Sequence, residues 1–402
     1  MRTVFFVAPF LMEATLKYIQ AAASVPNVRL VVLTQDSAAK LPAGVHHYAV
    51  KNGLSADCLV EACRDVMQQT GGVHRVIGIL ENAQETIAQV REALGVPGMD
   101  LATAERFRDK GVMKAALRAA GVPCARFARL HSAKDARKFI AEVGFPIVLK
   151  PPAGAGCRGT YMVNDTAGLE QALAESRPSA AREVLAEEFI TGEEFSFDTI
   201  VLDGRVVFHN ILRYLPGPLD VTRNEWVQWC VLAPREISGP EFDPIRKVGV
   251  AAVAALGLRT GMTHMEWFRR KDGSAVVSEV GARPPGAQFT SVMTYAYDRS
   301  LYHAWAYAVI DGKVGGTFDR KYAAGCAYFR GAGRGRVTRV DGLDEAQAKV
   351  GALVVEANLP KVGAMKSDGY EGEGYAIVRH PETDVVKAAL RTLIETVKVH
   401  YE

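Results

Sequence analysis

The chain lacks most of what would tie it to an extracellular, membrane or nucleic-acid role. Its 402 residues hold six cysteines and no CxxC pair. Cys58 and Cys63 are the nearest two, and a stretch with helical periodicity carries both, so buried thiols explain them better than a metal site. Reduced thiols imply a cytoplasmic setting. No apolar run approaches the length that spans a bilayer, so no membrane association is expected. Arg2 followed by Val4 to Met12 imitates a secretion signal, but Glu13 and Lys17 interrupt it, and Thr3 to Ala8 reads better as a buried first strand. The net charge of +3 is too small to argue for nucleic acid. After the first strand stands Ala8-Pro9-Phe10 where a glycine-rich dinucleotide fingerprint would be, and no loop ends in Gly-Lys-Ser/Thr. Nicotinamide or flavin binding and a Walker phosphate loop are therefore not expected. Internal repeats, low-complexity segments and a persuasive Ser-His-Asp or Cys-His arrangement are also missing.

What is present is the composition of a globular protein, 49% hydrophobic and 23% charged. The length suits roughly two to three domains. Short apolar strands (Val4 to Ala8, Arg29 to Thr34, Arg75 to Leu80) alternate with helix-like segments (Ala14 to Ala23, Ala56 to Gln69, Glu85 to Leu94), which predicts a parallel sheet flanked by helices. A turn-rich stretch, Gly95-Val96-Pro97-Gly98, marks the first boundary. Beyond it the pattern predicts helices over Thr103 to Ala120, Ser132 to Val143, Asp243 to Leu256 and Glu382 to Val397. Strands are expected at Ile147 to Lys150 and through Val184 to Val207. The fold class is α/β with α+β, divided at 1–100, 101–190, 191–310 and 311–402.

The most informative stretch runs from Met262 to Arg283. Strand-like runs flank Asp272-Gly273, a preferred two-residue hairpin turn whose central positions both need φ > 0. That turn sets Lys271 opposite Ser274, Phe268 opposite Val277 and Glu266 opposite Glu279. Like charges directly across a ladder repel, and a cation between them removes the cost. A carboxylate pair beside phosphates is a usual way to hold Mg²⁺, which takes hard oxygen ligands and keeps part of its water. Arg283 follows on the face of Glu279, where it could bind an anion. Read alone, the two glutamates also fit an ordinary exposed hairpin.

Two further segments carry chemistry. Phe145 to Lys150 is a strand ending in lysine, and the loop after it contains Gly154, Gly156 and Gly159. Backbone N–H groups of such a loop can approach phosphate oxygens closely. Tyr161 to Val163 then reads as a strand, so the loop fits a flap over a nucleotide between two antiparallel strands, or a plain β-turn. Glu187-Glu188-Phe189-Ile190 joins strand to strand, where backbone groups can bond an adenine edge; Glu194 could accept ribose hydroxyls. By itself this is equally an acidic surface loop.

In this order the pieces resemble the ATP-grasp superfamily of carboxylate-activating ligases, over about Lys110 to Arg283. The resemblance implies an ATP-grasp fold with a Rossmann-like N-terminal domain. It implies ATP with Mg²⁺, for which Mn²⁺ could substitute, as cofactors. Arg108-Asp109-Lys110, with Met113 and Lys114, would bear the first phosphate lysine. Lys150 would be the second lysine, and Gly154, Gly156 and Gly159 the lid. Glu187, Glu188, Phe189 and Ile190 would form the adenine hinge, with Glu194 on the ribose. Glu266 and Glu279 would hold the metal, and Arg283 would steady an acyl phosphate. Gly281 stands where many members carry a metal-binding asparagine, and Glu279 to Pro284 is closer in wording to the purine-synthesis enzymes.

The implied reaction activates a carboxylate as an acyl phosphate for attack by an amine, releasing ADP and phosphate. The alternatives are a formate- or bicarbonate-using enzyme of the purine-synthesis type, and a nucleotide-binding regulator. Partners would be a small carboxylate and an amine, with a homodimer compatible. His264 falls on the face of Glu266, as a substrate contact or a structural histidine. Arg213 and the segment Tyr214 to Trp229 would form a loop near the acceptor, with Trp226 and Trp229 at helical spacing.

Overall fold

The computed structural model describes residues 1–154, 159–367, 369 and 371–402. The N-terminal region is a four-stranded parallel sheet in the order His46–Ala49, Val28–Thr34, Arg2–Val7, Arg75–Ile77. Alternation along Arg2–Val7 sends Val4 and Phe6 into one core with Tyr18 and Ile19 of the helix Glu13–Ala23. Phe5 and Val7 enter another, with Leu59 of Ala56–Thr70 and Ile87 of Gln84–Leu94. The two-residue period of a strand thus covers both faces with helices. The first of these cores continues into Trp305 of the helix Leu301–Asp311 and Ile200 and Trp229 of the large sheet, so the N-terminal region is packed onto the rest.

A small antiparallel sheet follows, in the order Phe127–Leu130, Val184–Glu188, Ile147–Lys150, Tyr161–Val163. The strand after the glycine-containing loop is therefore paired back onto the lysine strand, as the sequence predicts. The large sheet has eight antiparallel strands, in the order Ala275–Gly281, Gly261–Arg269, Glu193–Leu202, Arg205–Leu215, Trp229–Ala233, Ala323–Phe329, Gly374–His380, Val354–Asn358.

Three expectations need correction. The helix expected over Thr103 to Ala120 is two, Leu101–Arg108 and Lys110–Ala119. Asp109 divides them: its Oδ1 accepts from the N–H groups of Gly111 and Val112, both at 2.8 Å, and so caps a new helix with Lys110 in its first position. Trp226 and Trp229 share no helix; Trp226 is 73% exposed in a turn, while Trp229 opens a buried strand.

The third concerns the acidic hairpin. Its loop is Lys271-Asp272-Gly273, with Arg270 N–H donating to Ser274 C=O at 2.9 Å and only Gly273 at positive φ, +81°. That extra residue shifts the register, so Phe268 faces Val276 and Trp267 faces Val277. A bulge at Ser278, between the partners of Trp267 and Glu266, then restores the shift, and Glu266 faces Glu279 as expected. Three-residue loops with glycine in the left-handed position are the next commonest hairpin connection, and an Asp-Gly pair alone does not separate them from two-residue turns.

Candidate active site

The small sheet, the acidic hairpin and the end of the N-terminal sheet meet around a cavity of about 220 Å³. Lys110, Lys150, Gly154, Glu187, Glu188, Phe189, Ile190, Glu194, His264, Glu266, Glu279 and Arg283 all line it. Gly159 has a φ of +67° and its position would set a side chain against Pro151. Gly156 lies outside the described residues.

Each cation here is already engaged by the protein. Lys110 Nζ is 3.0 Å from Glu279 Oε1 and donates to Gly154 C=O at 3.1 Å. Lys150 and Lys114 share one oxygen of Glu187, at 3.0 and 3.3 Å, and Lys114 also donates to Ser278 C=O at 2.8 Å. The bulge that corrects the hairpin register thus presents a carbonyl to a fully buried lysine. Burial pulls the Lys114 ammonium below its ordinary pKa, while Lys150, although buried, is held above it by Glu187 and Glu279. The other oxygen of Glu187 is buried with no partner among the described residues. The carboxylate of Glu187 therefore holds lysines, a use that the hinge expectation did not include. In the hinge itself, Glu188 N–H goes to Arg126 C=O at 2.9 Å and Phe189 N–H to Pro146 C=O at 3.3 Å.

Glu266 and Glu279 behave oppositely. Burial and the facing Glu279 push Glu266 up. Glu279 is equally deep, yet Lys110 and Lys150 overcome its burial and hold it down. Glu194 is pushed well up by burial, then by Glu266 and Asp220. Among the described residues no group of three or more His, Cys, Asp or Glu side chains could hold a metal ion by itself. The donor set is a facing pair of carboxylates with a charge deficit at Glu266. It fits a hard cation that completes its shell from phosphate oxygens and water.

Several contributors were not foreseen. Glu81, just beyond the strand Arg75–Ile77, accepts from Arg283 Nε and Nη2 at 2.9 and 2.8 Å and from Arg108 at 2.8 Å. An acid just past the carboxyl end of a parallel strand, where open α/β sheets place ligands, was the available signal. Asp198 is fully buried, 2.6 Å from His264 Nδ1, with Ser196 and Asn210 as further donors. Its signal was a lone acid in the apolar strand Phe195 to Leu202. His264 Nε2 is left 3.9 Å from Glu266. Arg213 instead pairs with Glu193 and lies over Phe195, outside the cavity lining. Tyr214, Pro218, Leu219 and Phe289 wall the cavity.

Residues 115–292 match the ATP-grasp domain family, a span that contains Lys150, Glu187, Glu194, Asp198, His264, Glu266, Glu279 and Arg283, while Glu81, Arg108, Lys110 and Lys114 precede it. The chain carries an ATP-grasp domain. Curated relatives that match the chain are named as ligases. The L-arginine-specific L-amino acid ligase of Bacillus subtilis is 23% identical over 286 residues, covering 69% of this chain and 68% of the relative. The fold is that of the L-amino acid ligase from Bacillus licheniformis, with a TM-score of 0.79, 21% identity and 100% and 99% of the two chains covered. N5-carboxyaminoimidazole ribonucleotide synthetase from Thermotoga maritima aligns with a TM-score of 0.72 at 19% identity, over 100% of both chains. No helix among the described residues is long and apolar enough to cross a membrane.

Proposed function

We propose that the ATP-grasp domain activates a small carboxylic acid as an acyl phosphate and transfers the acyl group to an amine, releasing ADP and phosphate. The observation that carries this reading is the convergence of Lys110, Lys150, Glu266, Glu279 and Arg283 on one cavity. ATP would lie with its base along Glu187 to Ile190 and its ribose toward Glu194. Lys110 and Lys150 would turn from Glu279 and Glu187 to the phosphates, so that charge developing during transfer meets cations already in place. Glu266 and Glu279 would hold Mg²⁺, which when bound neutralises phosphate charge. Arg283, oriented by Glu81, would grip the acyl phosphate, and His264, oriented by Asp198, would face the substrates.

The substrate end favours an acid larger than formate or bicarbonate, because Leu219, Pro218 and Phe289 give it apolar walls. The formate- or bicarbonate-using alternative rests on the Gly281-Ala282-Arg283-Pro284 wording and on the fold shared with the carboxyaminoimidazole enzyme.

With ¹⁸O in the acid and a competent amine, labelled inorganic phosphate should appear in step with ADP and ligated product. Pyrophosphate, or label recovered in AMP, would overturn the acyl-phosphate route.

A further inference from the structure

Behind Arg283 lies a second cavity, of about 470 Å³, which shares that residue with the first. Its walls come from the end of the N-terminal sheet, the approach to the acidic hairpin and the helix Leu301–Asp311, which contributes Trp305. The charged residues among its described lining are Arg75, Arg91, Arg259, Arg283 and a single acid, Asp203. Asp203 and Arg259 form the rim, 85% and 78% exposed and 3.7 Å apart, so the acid does not neutralise the interior.

Deeper in, the balance is one-sided. Arg75 donates to His74 C=O at 2.8 Å, and Arg91 to the carbonyls of Val76 and Met99 at 2.9 and 3.1 Å. Among the described residues no carboxylate lies within ion-pair distance of either. Asp311, whose charge reaches Arg75, is itself paired with Arg2 and Lys313. Burial, and then the charge of Arg75, push Arg91 down to about 10. Space has been kept for it: a Cβ on Gly98 would fall 2.6 Å from Arg91 Nε. Two guanidiniums facing one cavity are costly unless an anion joins them, and their planar forks suit the oxygens of phosphate or carboxylate.

We propose that this rear cavity is a binding site for a small oxyanion, phosphate or carboxylate, held by Arg75 and Arg91 with Arg283 as the wall shared with the ATP-facing cavity. An anion there adds charge behind Arg283 and competes with Glu81 for it. The consequence for catalysis, a raised KM for the acid, rests on the ligase reading; the binding itself does not.

The test titrates inorganic phosphate, and separately malonate, into the full chain saturated with Mg²⁺ and a non-hydrolysable ATP analogue, read by calorimetry and thermal denaturation. Saturable binding of at least one anion is expected, about tenfold or more weaker in Arg75→Gln and intermediate in Arg75→Lys. Whichever anion binds tighter identifies the source as phosphate or carboxylate. No saturable binding in the wild type, or equal binding in Arg75→Gln, overturns the proposal. Arg75 is partly exposed, so Arg75→Gln is chosen to fold; Arg91→Met adds a second reading where it folds. Should the analogue fail to bind, the ligase reading falls, and the loss of anion binding in Arg75→Gln still decides for or against the rear cavity.

Discussion

The two ends of the eight-stranded sheet are built from different materials. At one edge the acidic hairpin buries ions: Lys114 is 0% exposed, and Lys110 and Glu187 are 5% exposed. Toward the other edge the helix Thr383–Thr396 lays Val386, Leu390 and Leu393 on Ala323, Ala327 and Val378, all carbon. Burying ion pairs stabilises little, because desolvation offsets their attraction. Burying carbon stabilises at about 25 cal/mol per Å². At the hairpin end one face therefore holds charge in place, while the other face packs Met265, Trp267 and Val277 in carbon as the far end does. Function and stability should accordingly separate on mutation.

The sharpest separation is expected at Lys150 and Glu279. Lys150→Met or Glu279→Gln should lower ADP release by about 10²-fold or more while circular dichroism stays that of the wild type. A variant that keeps wild-type turnover removes that residue from the mechanism. The mirror experiment is Leu390→Ala. Leu390 packs so tightly on Gly325 that a Cβ there would come 2.6 Å from it. Truncation should cost about 2–5 kcal/mol in denaturant titration with KM values unchanged. An activity defect larger than the stability loss would show that the two ends are coupled.

Glu81→Gln probes the join between the N-terminal region and the site. It keeps the shape but removes the charge that orients Arg283 and Arg108. KM for the acid should rise about tenfold, with KM for ATP changing less, as for a lost charged hydrogen bond. The smallest effect is one of pH. Despite its partial burial, Glu356 is held below its ordinary pKa by Lys17, Tyr375 and Tyr295. A carboxylate depressed in the folded state adds stability above its unfolded pKa, about 4.3, and loses it as pH falls through the folded value. Below about pH 4 the melting temperature should fall, and Glu356→Gln should flatten that limb by an amount worth under about 1 kcal/mol.

Local pattern determined much of this protein. Hydrophobic alternation and spacing placed the parallel strands and their helices, the strand Ile147–Lys150, the helix Asp243–Leu256 and the acidic hairpin, because periodicity is a property of neighbouring residues. The facing of Glu266 and Glu279 came out through compensation: the hairpin loop is one residue longer than an Asp-Gly turn implies, and the bulge at Ser278 takes the residue back. Neither irregularity has a local signature strong enough to read. Only tertiary structure decided the partners. Glu81 reaches Arg283 across 202 positions, Asp198 reaches His264 across 66, and Glu187 gathers Lys114 and Lys150 from two separate segments. Such pairings depend on which faces the packed sheets bring together, and a side chain's charge shows what it could bind, while its neighbours in space settle what it does bind.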